Sequence, residues 1–221
     1  MTRYLPITVA LAATLLTTTA ASAPRRQDDL LDRAVAAWTK VKTARATFEQ
    51  TITNALTGRT LTSSGEYQQL RPGKLAVTFA APANDRIVAD GKYVWMYLPS
   101  SAPDQVIKSA QSSVGTGTVD LSAQFLTSPR TKYTVSAAGT LVVSGHATHS
   151  YNLIPKSESS APFKSAVVWI DDADATIRQF MVVDASGMER KVHLTSFKTN
   201  VPVDDAAFKF TVQPGMRVIE R

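Results

Sequence analysis

The 221-residue sequence contains no cysteine. That absence excludes a disulfide framework, a thiol nucleophile and lipid attachment at an N-terminal cysteine. Core packing alone must then stabilise the fold. Catalytic signatures are missing as well: there is no G-x-S-x-G elbow, no Walker-type glycine loop and no H-E-x-x-H. Without a convergent acid, base and nucleophile, an enzyme is not expected. Histidine is scarce, at three residues. His146 and His149 in "HATH" have His-x-x-His spacing but sit at a strand start, where positions three apart face opposite sides, so no shared metal is expected. Charge of one sign is never concentrated. The 24 Lys+Arg against 18 Asp+Glu give a net +6, but no basic run exceeds two residues. That pattern describes a mildly basic solvated surface and argues against nucleic-acid binding. Internal repeats and low-complexity blocks are absent, and the acids of "DDADA" and "VDD" fall in turns, which Asp stabilises.

What is present begins with "MTRYLPITVALAATLLTTTAASAP". Arg3 is a short positive region, Ile7 to Leu16 an apolar one, and "TAASA" supplies the small residues of a cleavage site. Residues 1–23 therefore read as a cleaved secretory signal, too interrupted by Pro6 and threonines to span about 30 Å of hydrocarbon. The remainder, 24–221, reads as a single exported domain, soluble in the periplasm or outside the cell.

From Asp28, "DDLLDRAVAAWTKVKTA" places Leu30, Leu31, Ala34, Val35, Trp38 and Val41 at three- and four-residue spacings, with acids first and lysines last. This is an amphipathic helix with the charge order its dipole favours. The period then changes to two. About ten short strands follow, with "RPG", "AAG", "DDADA" and "ASG" among the turns, which implies a meandering antiparallel sheet. The stretch from Ser100 to Arg130 interrupts it with a Gly/Ser/Thr-rich tether carrying "DLSAQFL", a short helix capped by Asp120 with Leu121, Phe125 and Leu126 on one side. A tethered apolar helix suits a lid.

"IVADGKYVWMYLP" carries the Asp-Gly signal of a two-residue hairpin turn. With Asp90 and Gly91 in the turn, Ala89 faces Lys92 and Ile87 faces Val94. Alternation puts Ile87, Val94, Met96 and Leu98 on one face and Val88, Tyr93, Trp95 and Tyr97 on the other. Both faces are apolar, so both require cover.

"SGEYQQLRPGKLAVTFAAP", "RIVADGKYVWMYLP", "YNLIPKS", "TIRQFMVVDASGMERKVHL" and the terminal "FKFTVQPGMRVI" together resemble the periplasmic LolA family of outer-membrane lipoprotein carriers, in order over almost the whole exported chain. The resemblance implies a mainly β (α+β) fold: an incomplete, strongly curved antiparallel β-barrel with helices forming a lid over a hydrophobic cavity. It implies a carrier of acylated lipoproteins, loaded by the inner-membrane transporter LolCDE and emptied to a LolB-like acceptor, with no cofactor. By the same resemblance, the arginine of the R-P motif, here Arg71, latches the lid through hydrogen bonds to the end of "DLSAQFL" or of the N-terminal helix. Leu75, Val77, Phe79, Ile87, Val94 and Met96 are the expected acyl-chain wall. Leu121, Phe125 and Leu126 are expected to fill the pocket when the lid is closed, and Tyr93, Trp95 and Tyr97 to lie on a partly exposed convex surface, reaching water through their polar tips, with docking of the transporter there as an open second use of that surface. A lipid-binding or sensory module of the same fold, with a different lipid, is the alternative.

Overall fold

A computed structural model describes residues 24–80, 84–114, 120–157 and 161–221. The expected signal segment and the side chain of Leu121 lie outside the described residues. Helix α1 (Pro24–Thr39) opens the chain. Its periodic residues Leu30, Leu31, Ala34 and Trp38 are all buried, the single apolar stripe that their spacing dictates.

Among the described residues twelve strands, against the expected ten or so, form one unclosed sheet: β1 (Thr43–Asn54), β2 (Thr60–Leu70), β3 (Lys74–Phe79), β4 (Arg86–Asp90), β5 (Tyr93–Tyr97), β6 (Gln105–Ala110), β7 (Tyr133–Val143), β8 (His146–Pro155), β9 (Ser165–Asp171), β10 (Ile177–Val183), β11 (Met188–Thr199) and β12 (Arg217–Glu220). Their order across the sheet is β12-β6-β5-β4-β3-β2-β1-β11-β10-β9-β8-β7. All neighbours are antiparallel except β12, which runs parallel to β6. Between β6 and β7 stand α2 (Gln111–Val114), α3 (Leu121–Leu126) and α4 (Pro129–Lys132).

Three elements differ from the sequence reading. "QVIKSA" belongs to the sheet: β6 pairs along β5, and the apolar Val106 is fully buried. The interruption is therefore shorter than expected. "AAG" is not a turn, because β7 passes through it as a bulge between Ala137 and Gly139, with Gly139 at φ +114°. Such a bulge absorbs one extra residue without ending the strand. In the hairpin, Ala89 faces Val94 and Ile87 faces Met96, so Gly91 and Lys92 are the turn residues. Asp90 stands just before them, and its carboxylate accepts from the Lys92 and Tyr93 N–H groups at 2.8 and 2.7 Å and from Trp95 Nε1 at 2.9 Å. The register moves by two residues, an even number, so each side chain keeps the face that alternation assigns it.

The second apolar face of that hairpin is covered by the chain itself. The segment after β11 crosses the convex side, where a 3₁₀ turn (Asp205–Phe208) buries Phe208, and Phe210 stacks on Trp95 at 5.5 Å between ring centroids. Val88 beneath is buried. Tyr93, Trp95 and Tyr97 remain partly exposed, as expected, and Trp95 and Tyr97 also contact Phe210 of the C-terminal segment.

Candidate functional site

On the concave side, the buried apolar residues form two clusters, bridged by the partly buried Tyr67 and Val77. The larger gathers α1, Phe125 and Leu126 of α3, and inward residues of β1 and β8 to β11, while the smaller holds Leu75, Ala89 and Val94. Between them lies a cavity of about 340 Å³. Its wall includes all six strand residues that alternation points inward: Leu75, Val77, Phe79, Ile87, Val94 and Met96. Leu98, placed on that face by the same alternation, lies past the end of β5 and is not in the wall. Sequence reading missed the opposite wall, Phe48 and Ala46 of β1, Phe180 of β10, and Val192, Leu194 and Phe197 of β11. The signal was available, since the register sets Phe48 opposite Leu194 and Phe180 opposite Val192, but pairing between strands so distant in sequence is not readable from period alone.

The glycine in "SGEY" shapes this wall. A Cβ at Gly65 would stand 2.4 Å from the Thr78 carbonyl oxygen and 2.7 Å from the Phe48 ring. The missing side chain lets Phe48 lie over β2, edge-on to Phe79 at 5.6 Å.

The lid has two fastenings. Arg71, at the end of β2, donates from Nη1 to the carbonyls of Trp38 at 2.9 Å and Val41 at 3.1 Å, with its guanidinium 5.1 Å from the centre of the Trp38 ring. Of the two helices considered, it therefore holds α1. Helix α3 is held separately. Asp120 caps it, accepting from the Ala123 N–H at 2.9 Å, and its other oxygen accepts from Gln69 Nε2. Burial pushes the Asp120 carboxyl above its ordinary range, against the lowering effect of those bonds and of the Arg71 charge. Closure leaves Trp38 Nε1, the Tyr67 hydroxyl and Gln69 Oε1 buried without a protein partner. Unsatisfied buried groups oppose closure by about 1–3 kcal/mol each, which offsets part of what the fastenings contribute.

Phe125 and Leu126 of the short helix do not line the cavity as expected. Phe125 packs 5.2 Å from Phe180 and 5.9 Å from Phe163, inside the larger cluster. Leu126 borders a second space of about 270 Å³ under α1, with Ala34, Trp38 and Ile177. Ser122 and Phe197 line both spaces. Helix α3 is a partition between the two, and its departure would join them.

A raised acid pKa means that the docked lid prefers the protonated carboxyl. Docking is then strongest near the ordinary carboxylate range, about pH 4, and weakens as pH rises through the raised value. Asp120→Asn keeps a good cap and removes the charge. Amide protection across 122–126, corrected for intrinsic exchange, should fall between about pH 4 and neutrality in the unmodified protein and stay level in D120N. Equal slopes in the two proteins would remove Asp120 from this role.

The histidines sit apart from the cavity. His146 Nδ1 meets Asp171 at 2.7 Å and His149 Nδ1 meets Asp172 at 2.5 Å. Asp171 also accepts from the Ala173 N–H at 2.8 Å, as a turn residue would, and from Arg178 Nε at 2.9 Å.

This geometry agrees with what the sequence shares with known proteins. The profile of the family described as outer membrane lipoprotein carrier protein LolA matches residues 39–211. The chain belongs to the LolA family. An outer-membrane lipoprotein carrier protein of Sodalis glossinidius is 27% identical over 177 residues, covering 80% of this chain and 81% of the relative. One of Bordetella avium is 26% identical over the full length of both. Among solved structures, an uncharacterized conserved protein from Thermus thermophilus superposes with a TM-score of 0.56 at 16% identity, over 88% of this chain and 99% of that one. The Mycobacterium tuberculosis lipoprotein LppX does so at 0.51 and 14%, over 83% and 100%. At such identities these two establish a shared fold only. In this LolA-family chain the curved, unclosed sheet carries its helices on the concave side, as the incomplete-barrel reading requires.

Proposed function

We propose that this chain is a periplasmic carrier that covers the acyl chains of lipoproteins released from the inner membrane and delivers them to the outer membrane. One observation carries the proposal: an apolar cavity bounded by a helical lid that is fastened by few polar bonds. Each methylene moved out of water is worth roughly 0.8 kcal/mol, so exposed lipoprotein chains do not cross an aqueous compartment unaided. A carrier must bury those chains and still release them. A wall of Leu, Val, Ile, Phe and Met satisfies the first demand, and a displaceable partition satisfies the second. Departure of α3 would expose Phe125 and Leu126 and open the joined space, and an acyl chain would replace the lost apolar contacts. The ligand thereby biases a two-state element.

The partners in this reading are an inner-membrane LolCDE-type transporter and a LolB-like acceptor. Residues 1–23 act as the export signal, and 24–221 form the carrier domain. No helix among the described residues is long and apolar enough to cross a membrane. Family membership supports a carrier rather than an enzyme. Purification from periplasm followed by mass spectrometry tests the reading. Acylated lipoproteins should copurify, and recovery of free lipid alone would favour a lipid-binding module of the same fold.

A further inference from the structure

The cavity wall is largely apolar, with Tyr67 and Ser122 among its lining and its charge at one end. The register lays the inward residues in rows across the sheet, because directly opposed residues share a face. One row reads Gly65, Phe48, Leu194, the next Ser63, Gln50, Val192, Phe180, and the next Leu61, Ile52, Arg190, Val182. Arg190 belongs to the cavity wall, where among the described residues it is the one with a formal charge, in the lining row nearest the β1–β2 turn. It makes no hydrogen bond or ion pair with a described residue. The carboxylate that acts on it is Asp184, which is already engaged by the Ser186 N–H and hydroxyl and the Met188 N–H. The side chain is exposed at the mouth of the cavity, the chain around it lowers its pKa by desolvation, and an arginine remains cationic nonetheless. One row inward, Gln50 Nε2 donates to Ser63 Oγ at 3.0 Å. That bond leaves the Ser63 hydroxyl proton free to donate.

Hydrocarbon chains have no use for this arrangement. A guanidinium with five donors, open to solvent at the mouth and without a protein partner, can take an anionic head group while the chains lie on the apolar wall behind it. We propose that Arg190 makes this end of the cavity a phosphate position, so that the cavity also takes a diacyl glycerophospholipid, its phosphate on Arg190 and its chains against Val192, Phe180 and Leu194. The inference rests on the cavity being an acyl-chain site. It adds to that site a preference for an anionic head.

The test uses the exported chain, a neutral apolar dye, and three competitors: phosphatidylglycerol, the diacylglycerol with the same chains, and inorganic phosphate. Charge-assisted bonds to phosphate predict that phosphatidylglycerol displaces the dye about ten-fold more effectively than diacylglycerol. Arg190→Gln should bring that ratio close to one, and Arg190→Lys should leave it intermediate. Equal thermal midpoints establish that the variants are folded. A ratio near one in the unmodified protein, or the same ratio in R190Q, would overturn the proposal and leave Arg190 as a side chain whose stem merely covers the rim. Loss of the preference in millimolar inorganic phosphate would also overturn it, in favour of a free-anion site. Failure of the dye and both lipids to bind would instead refute the acyl-chain reading on which the proposal stands.

Discussion

Arg71→Leu should loosen the lid without unfolding the sheet. The side chain holds two carbonyls at the end of α1 and lies against the Trp38 ring, and a leucine reproduces neither contact. Charge-assisted bonds of this kind are worth about 1.5–3 kcal/mol each when well buried. Arg71 is only partly buried, which reduces the expected loss to about 2 kcal/mol, or roughly thirty-fold in the opening equilibrium. A lid biased open competes less with cargo. Lipopeptide should therefore bind more tightly to R71L and leave more slowly, with delivery to an acceptor as the step that suffers. Arg71→Lys should fall between, because an ammonium cannot serve both carbonyls in the fixed geometry of a guanidinium. Unchanged affinity and unchanged release would show that α1 is held by its apolar face alone.

Gly65→Ala should give the largest loss of stability of any single methyl addition considered. Its Cβ would overlap the Thr78 carbonyl oxygen, a backbone atom fixed by the β2–β3 ladder, and the Phe48 ring. Relief requires parting of the strands or rotation of Phe48 into the cavity. Overpacking of this severity costs roughly 3 kcal/mol, which lowers the thermal midpoint of a chain this size by about 10 °C. Dye uptake should fall with it, since the edge-on pair of Phe48 and Phe79 forms part of the wall. A midpoint within a degree or two of the unmodified protein would mean that the sheet flexes at this point and that Gly65 has no structural role.

Local patterns carried much of this fold into the sequence. The three- and four-residue spacing of Leu30, Leu31, Ala34 and Trp38 specified a helix and its buried face, and alternation along β3 to β5 specified which residues line the cavity. That assignment survived a wrong turn at Asp90 and Gly91 because the error was two residues, not one. Asp90 carries the signal of a turn residue, but its carboxylate caps the turn from outside. Relations between distant segments were not legible. Nothing local says that Phe210 lies on Trp95, that Val192 faces the same space as Val77, or that Arg71 reaches α1 and not α3. A bulge is equally hard to read, because Gly139 looks like a turn until its strand is seen to continue. Arg190 was hidden for a different reason: alternation with Val192 and Leu194 puts it on the cavity face, but an exposed charge near a strand end reads as an ordinary solvated residue.

The central claim, that acyl chains occupy the space between sheet and lid, is tested most directly by titrating the exported chain with a triacylated lipopeptide beside a Val77→Trp variant. Val77 stands in the wall, partly buried, so the indole would extend into existing space instead of displacing packed atoms. The unmodified protein should bind one lipopeptide and ignore the same peptide without its acyl chains. V77W should keep its thermal midpoint and lose at least ten-fold in affinity, about 1.4 kcal/mol. Undiminished binding by a folded V77W protein would place the chains elsewhere and contradict the account.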